Sequence, residues 1–270
     1  MPIGNTDLLA TKNDLIVSLV QKELISKAVV MPSIMDASAF AGKGSKRIEI
    51  PRAGSFTVEN RASTVDASLA NVTYAVDALD LDQRSTISWK VDPMDEVESA
   101  VEVEADLAQR AARAHAKNFD TQVINGLEAD STAIATLGAI SKDIVLEMRE
   151  DLLTAEANPD ALTLLVGPDS ERTLLGIAEF VEADKYGSSS IPSGVLGRLY
   201  GVEVRMSTQI GAQTYYMYDK EGYAFAFQKG LAMDERKAPE LGTGAMLKTM
   251  DAKWGHAQLQ NGALLVKDGN

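Results

Sequence analysis

Two histidines, His115 and His256, and no cysteine leave little of the side-chain chemistry from which most active sites are built. Neither histidine has a His or Cys partner at metal-ligand spacing, so both read as structural. The absence of thiols excludes disulfides, thiolate zinc sites and cysteine nucleophiles. Serines are plentiful, but no G-x-S-x-G elbow presents one of them to a base. Gly42-Lys43-Gly44-Ser45-Lys46-Arg47 invites a phosphate-loop reading, yet Gly44 follows Lys43 where Ser or Thr is required. The run Gly194-Val195-Leu196-Gly197-Arg198-Leu199-Tyr200-Gly201 has the wrong spacing for a dinucleotide fingerprint, and a turn before a strand fits it better. Asp77, Asp80 and Asp82 offer oxygen ligands for a hard cation, against the plainer reading of a solvated strand edge. The chain thus lacks the parts of the common catalytic plans.

The elements that hold these residues are those of an ordinary globular chain. Its 270 residues are 45% hydrophobic and 24% charged, enough for one large domain or two modest ones. A formal net charge of -13 disfavours tight binding to a phosphate backbone, where affinity comes from lysine and arginine displacing counterions. No apolar run reaches the length of about 18 residues that a membrane span needs, and Met1–Ala10 lacks a signal-peptide pattern. A soluble protein made in the cytosol is expected.

Asn13 caps an amphipathic segment over Asp14–Lys27 with Ile16, Val20 and Leu24 at i+4 spacing, and Pro32 ends it. The period then changes. Arg47–Pro51, Phe56–Val58, Val72–Val76 and Ile87–Val91 alternate polar and apolar residues, which reads as half-exposed strands of a hairpin-like arm with charged edges. Over roughly 45 residues this arm carries only about ten large apolar side chains, and a two-stranded ribbon is marginal alone in water. Such an arm needs support from its own domain or from a neighbour.

The clearest element follows. Asp92 as N-cap and Pro93 at the first helical position open a helix whose stripe runs Val97, Val101, Ala105, Ala108, Ala112, Ala116, Phe119, Val123, Leu127, with Gly126 as the expected stop. At 1.5 Å per residue it would reach roughly 50 Å. Its small-residue stripe predicts a helix lying flat on a partner layer. Acidic residues fill its first half and Arg110, Arg113 and Lys117 its second, in the sense that suits the helix dipole.

Downstream, Ser141 caps a helix over Lys142–Ala155, and Leu162–Val166 reads as a strand buried on both faces. Pro168 opens a further helix. Val202–Met206, Thr214–Tyr218 and a strand carrying Tyr223, Phe225 and Phe227 on one face follow. Asn261-Gly262 predicts a closing hairpin between strands near Met246–Met250 and Ala263–Val266.

This order of elements resembles the major capsid proteins of tailed bacteriophages, which have the Hong Kong 97-type fold. The resemblance is carried by Gly44–Thr57, Leu79-Asp80-Leu81-Asp82, and Trp89-Lys90-Val91-Asp92 leading into the helix. A second block is Leu164-Leu165-Val166-Gly167-Pro168 with its Leu174-Leu175 helix, followed by Gly194–Ser207. The similar segments are short islands between about Gly42 and Asp251.

The resemblance implies an α+β fold with an N-terminal arm at 1–41 and an extended β-hairpin E-loop at 42–91. A spine helix at 92–127 would belong to the peripheral P-domain. An axial A-domain would fill 128–228, and P-domain return strands with a C-terminal strand 229–270. It further implies self-assembly through pentamers and hexamers into an icosahedral virion shell, built in the host bacterial cytoplasm around packaged DNA that is bound without sequence preference. Partners would be a separate scaffolding protein, a portal and decoration proteins, with no membrane and no cofactor, metal or catalytic residue. Arg47, Glu49, Arg52, Glu59 and Arg61 on the arm are the candidate inter-subunit contacts. Two alternatives stand beside this: an encapsulin-type nanocompartment shell, whose usual N-terminal helix is not matched in Met1–Ala41, and a cytosolic α/β enzyme, for which the motifs are missing.

Overall fold

The computed structural model describes residues 28–42, 44–53, 74–91, 103–130, 132–133, 139–176, 195–211, 214–238, 245–259 and 264–267. Along these the strands are β1 (Met35–Asp36), β2 (Arg47–Ala53), β3 (Tyr74–Asp80), β4 (Gln83–Val91), β5 (Thr132–Ala133), β6 (Leu162–Val166), β7 (Val195–Leu199), β8 (Val202–Met206), β9 (Tyr215–Asp219), β10 (Tyr223–Lys237), β11 (Met246–Gln258) and β12 (Leu264–Lys267). The helices are α1 (Val103–Asp130), α2 (Lys142–Thr154) and α3 (Pro168–Leu174). No described helix is long and apolar enough to cross a membrane.

The strands form a four-stranded sheet in the order β1-β10-β11-β4, a six-stranded sheet in the order β5-β12-β9-β6-β8-β7, and the ribbon β2-β3. The six-stranded sheet is centred on β6, whose five residues are all buried between parallel β8 and antiparallel β9. α2 covers one face of this sheet with Ile144, Val145, Met148 and Leu152, and Ser141 caps it by accepting the Ile144 N–H at 3.4 Å. Between β7 and β8 the turn is Tyr200-Gly201 with φ of 51° and 85°. Positive φ at both central residues is what a two-residue hairpin needs to match strand twist, and this is the turn expected in place of a nucleotide loop.

α1 lies flat on the four-stranded sheet, as its alanine stripe predicts. Ala108, Ala112, Ala116, Phe119, Val123 and Leu127 are buried, and the Phe119 ring meets Trp254 at 4.2 Å and Phe227 at 5.0 Å between centroids. The predicted N-cap at Asp92 and the stripe residues Val97 and Val101 lie outside the described residues. Gly126 does not stop the helix, which continues to Asp130. It is an interior glycine because a Cβ there would overlap the Tyr223 hydroxyl and the His256 ring. Close approach, not termination, explains the residue.

The chain end also departs from expectation. β12 pairs antiparallel with β9 and parallel with β5, so it closes the six-stranded sheet and forms no hairpin with β11. Asn261-Gly262 itself lies outside the described residues.

Candidate assembly arm

The ribbon pairs in the register Arg47↔Asp80 through Ala53↔Tyr74, which sorts its side chains cleanly by face. One face carries Ile48, Ile50, Asp77 and Leu79, and the other carries Arg47, Glu49, Pro51, Tyr74, Val76 and Asp80. Among the described residues the first face meets the body of the subunit at the root. Ile48, Leu79 and the adjoining Leu81 are buried with Ala37, Ala224, Ala226 and Leu259. Each such side chain contributes about 1.5–3 kcal/mol when fully removed from water.

The floor beneath the root is set by a two-residue alternation in β10. Tyr223 and Phe225 join the core shared with α1, whereas Ala224 and Ala226 join the cluster under the arm. Gly255 of β11 is the register partner of Ala226 and completes this floor. A Cβ at Gly255 would collide with the Asp80 backbone carbonyl. The root is further fixed by the Leu81 N–H donating to the Lys46 carbonyl at 2.8 Å and by the Gln228 side-chain amide donating to the Ser45 carbonyl.

Beyond the root, the outward face is unsupported within the described residues. Tyr74 is 71% exposed and Val76 54%, an apolar end beside exposed Pro51. Nearer the body the same face is ionic. Arg47 lies 3.8 Å from Glu49 and 3.9 Å from Asp80, all well exposed. The face is therefore graded, charged at its base and apolar toward its end.

Of the five candidate contact residues, Arg47 and Glu49 are brought together, with Asp80, singled out in the sequence only as a cation ligand or strand-edge charge, as a third member. Arg52 lies on β2 opposite Ala75. Glu59 and Arg61 lie outside the described residues. Asp77 and Asp80 sit on opposite faces of β3, and no group of three or more metal-ligating side chains occurs among the described residues.

Several ionisable groups are buried in the body, Asp120 and His115 among them. Asp120 of α1 accepts the Val29 and Val30 N–H groups at 2.9 and 3.2 Å, yet burial pushes its carboxyl above the usual carboxylate range. His115 is 1% exposed, and burial holds its imidazole below the usual histidine range against the opposing pull of the Met250 backbone and Asp251. His256 shares a 2.7 Å hydrogen bond with the Tyr223 hydroxyl and is also lowered by burial. Tyr74 and Val76 were legible as members of an alternating run, whereas Asp120 carried no local signal because its partners are about 90 residues away.

No family model matches the chain, and no curated protein matches it by sequence. Solved structures do match. A protein of Mycobacterium phage Che8 superposes with a TM-score of 0.70 at 16% identity, over 88% of this chain and 89% of the other. The capsid of cyanophage P-SCSP1u gives 0.69 at 11% identity, over 89% and 88%. A virus-like particle from Pyrococcus furiosus gives 0.65 at 10% identity, over 95% and 99%. The class this defines is the α+β fold of phage capsid shells. It is the Hong Kong 97-type fold that the element order led us to expect.

Proposed function

We propose that this chain is the structural major capsid protein of a tailed bacteriophage. Identical copies assemble through pentamers and hexamers into an icosahedral shell around double-stranded DNA. The observation that carries this reading is the arm, which among the described residues packs on its own subunit at the root and presents Tyr74 and Val76 to solvent. An apolar ribbon face of this kind calls for a covering surface, and in a shell the neighbouring copy supplies it.

In this reading residues 42–91 act as the E-loop, 92–127 as the spine helix, 128–228 as the A-domain and 229–270 as the returning strands, with 1–41 as the N-terminal arm. Arg47, Glu49, Arg52, Glu59 and Arg61 make ion pairs to neighbours. Single exposed pairs contribute about 0.2–1 kcal/mol, and a closed shell repeats each one many times. Weak repeated contacts let misplaced subunits leave. The net charge of -13 suits a lining that does not adhere to packaged DNA. The role is structural, not catalytic, with scaffolding, portal and decoration proteins as partners and the virion as the destination.

The test is the double substitution Tyr74→Ser with Val76→Ser. Folded, soluble subunits that no longer close into shells, read by circular dichroism and sedimentation velocity, are expected. Shells formed as efficiently as by the parent chain contradict the role given to the arm.

One observation favours a second reading, a nanocompartment shell that holds protein cargo: the match to the Pyrococcus particle spans 95% of this chain and 99% of that one. Particle contents separate the two readings. Nucleic acid in mature particles supports the first, and an enclosed enzyme the second.

A further inference from the structure

Residues 28–38 cross the subunit as a strap bonded to both large sheets. At one end the Val29 and Val30 N–H groups donate to the Asp120 carboxylate on α1. The Val29 carbonyl accepts from the Arg205 guanidinium of β8 at 3.1 Å, and Arg205 is itself held by Glu203 at 2.6 Å. One strap residue is thus clamped by an anion on its N–H and a cation on its carbonyl, and charge-assisted bonds of this kind are roughly twice as strong as neutral ones. Ser33 then shares a hydrogen bond with the Tyr218 hydroxyl of β9.

At the other end the strap belongs to the opposite sheet. β1 pairs with β10, the Ala37 N–H donates to the Phe225 carbonyl at 2.8 Å, and the Phe227 N–H donates to the Ser38 hydroxyl at 3.0 Å. β8 and β9 lie in the six-stranded sheet and β10 in the four-stranded one.

Packing on the strap is one-sided. Val30, Ile34 and Ala37 are buried inward, whereas Met31, Pro32 and Ile34 also line an open apolar groove of about 570 Å³ with Phe225, Phe227 and Leu231. With no layer closing over that groove among the described residues, the inward packing and the polar anchors at the two ends together hold the strap in place.

We propose that the strap is an orientation lock: by bonding to α1 and to both sheets it fixes the angle between them, with Asp120 as its positioning residue. Freed from Asp120, Arg205 and Tyr218, the strap stays attached to β10 but loses its polar hold on α1 and the six-stranded sheet. The sheets can then reorient about α1 and the turn between β9 and β10. Force or binding applied to the chain before Val29 reaches this joint directly.

The chain has no cysteine, so two introduced ones label cleanly. Asp160→Cys, beside β6, and Lys237→Cys, at the end of β10, are both exposed. Spin labels there report the distance between the sheets by double electron–electron resonance in the full-length chain. A narrow distribution is expected with Asp120 present, and a broadened or shifted one in Asp120→Leu. Amide exchange over residues 29–37 should accelerate by about tenfold or more while β6 and β9 stay protected. Should Asp120→Leu fail to fold, Asp120→Asn and Ser33→Ala test the same anchors and should show smaller broadening. A variant that only lowers the melting temperature, with the distance distribution unchanged, overturns the proposal.

Discussion

Gly255 of β11 lies directly beneath the backbone carbonyl of Asp80, so that any side chain at 255 would occupy the space through which the arm leaves the subunit. The obstructing atom is backbone and cannot rotate away. Gly255→Ala should therefore unseat the arm root while sparing the core between α1 and β11. We expect a loss of about 1–3 kcal/mol, the usual cost of overpacking a fitted site. Greater protease sensitivity near residue 80 and failure to form closed particles should accompany it. Wild-type stability and assembly would show that the root does not sit as described.

Gly126→Ala makes the opposite of the propensity argument. Alanine in a helix interior gains about 1 kcal/mol over glycine. At 126, however, the methyl group would overlap buried Tyr223 and the His256 ring, which share a hydrogen bond. The variant should be less stable than the parent in urea titration despite its better propensity.

The buried imidazole gives a pH dependence with a definite sign. The folded-state pKa of His115 lies below its ordinary value of 6.5, so its stabilising contribution is full above that pH. It is lost as pH falls from there through the folded value, at up to about 1.4 kcal/mol per pH unit. His256 acts in the same direction. Asp120, raised by burial, acts in the other, its contribution fading as pH rises through its folded value. His115→Leu removes this titrating group from the core. Its stability should fall less than the parent's between pH 7.5 and 5.5 in chemical unfolding. Equal slopes would contradict the assignment.

The ionic base of the arm predicts a separation of folding from assembly. Arg47 is more than half exposed beside Glu49 and Asp80, so Arg47→Ala should change subunit stability by less than about 1 kcal/mol. Particle yield should drop more, and raising salt should erase the difference between variant and parent. Calorimetry and light scattering read the two effects independently.

The sequence was most informative where a local pattern determines the outcome. The alanine stripe of α1, the all-apolar run of β6, the Ser141 cap and the Tyr200-Gly201 turn each follow from a few neighbouring residues. The glycines misled where their reason is tertiary: Gly126 looked like a helix stop and is a contact with Tyr223. Asn261-Gly262 looked like a hairpin because nothing nearby reveals that β12 joins β9. For the arm, alternation identified β2 and β3 and named Arg47 and Glu49. It also assigned Ile87–Val91 to the arm, whereas β4 pairs with β11 in the four-stranded sheet, and Phe56–Val58 lies outside the described residues. The outward apolar end at Tyr74 and Val76 became visible only once the register to β2 was known. The strap was illegible, since its bonds join residues far apart in the chain.

The central claim is that copies of this chain cover each other's arms to build a closed shell. Negative-stain electron microscopy of the purified protein tests this most directly. The account predicts hollow polyhedral particles or their pentamers and hexamers, with the arm of each subunit lying across a neighbour. A compact monomer at every concentration, with the arm folded onto its own subunit, would contradict it.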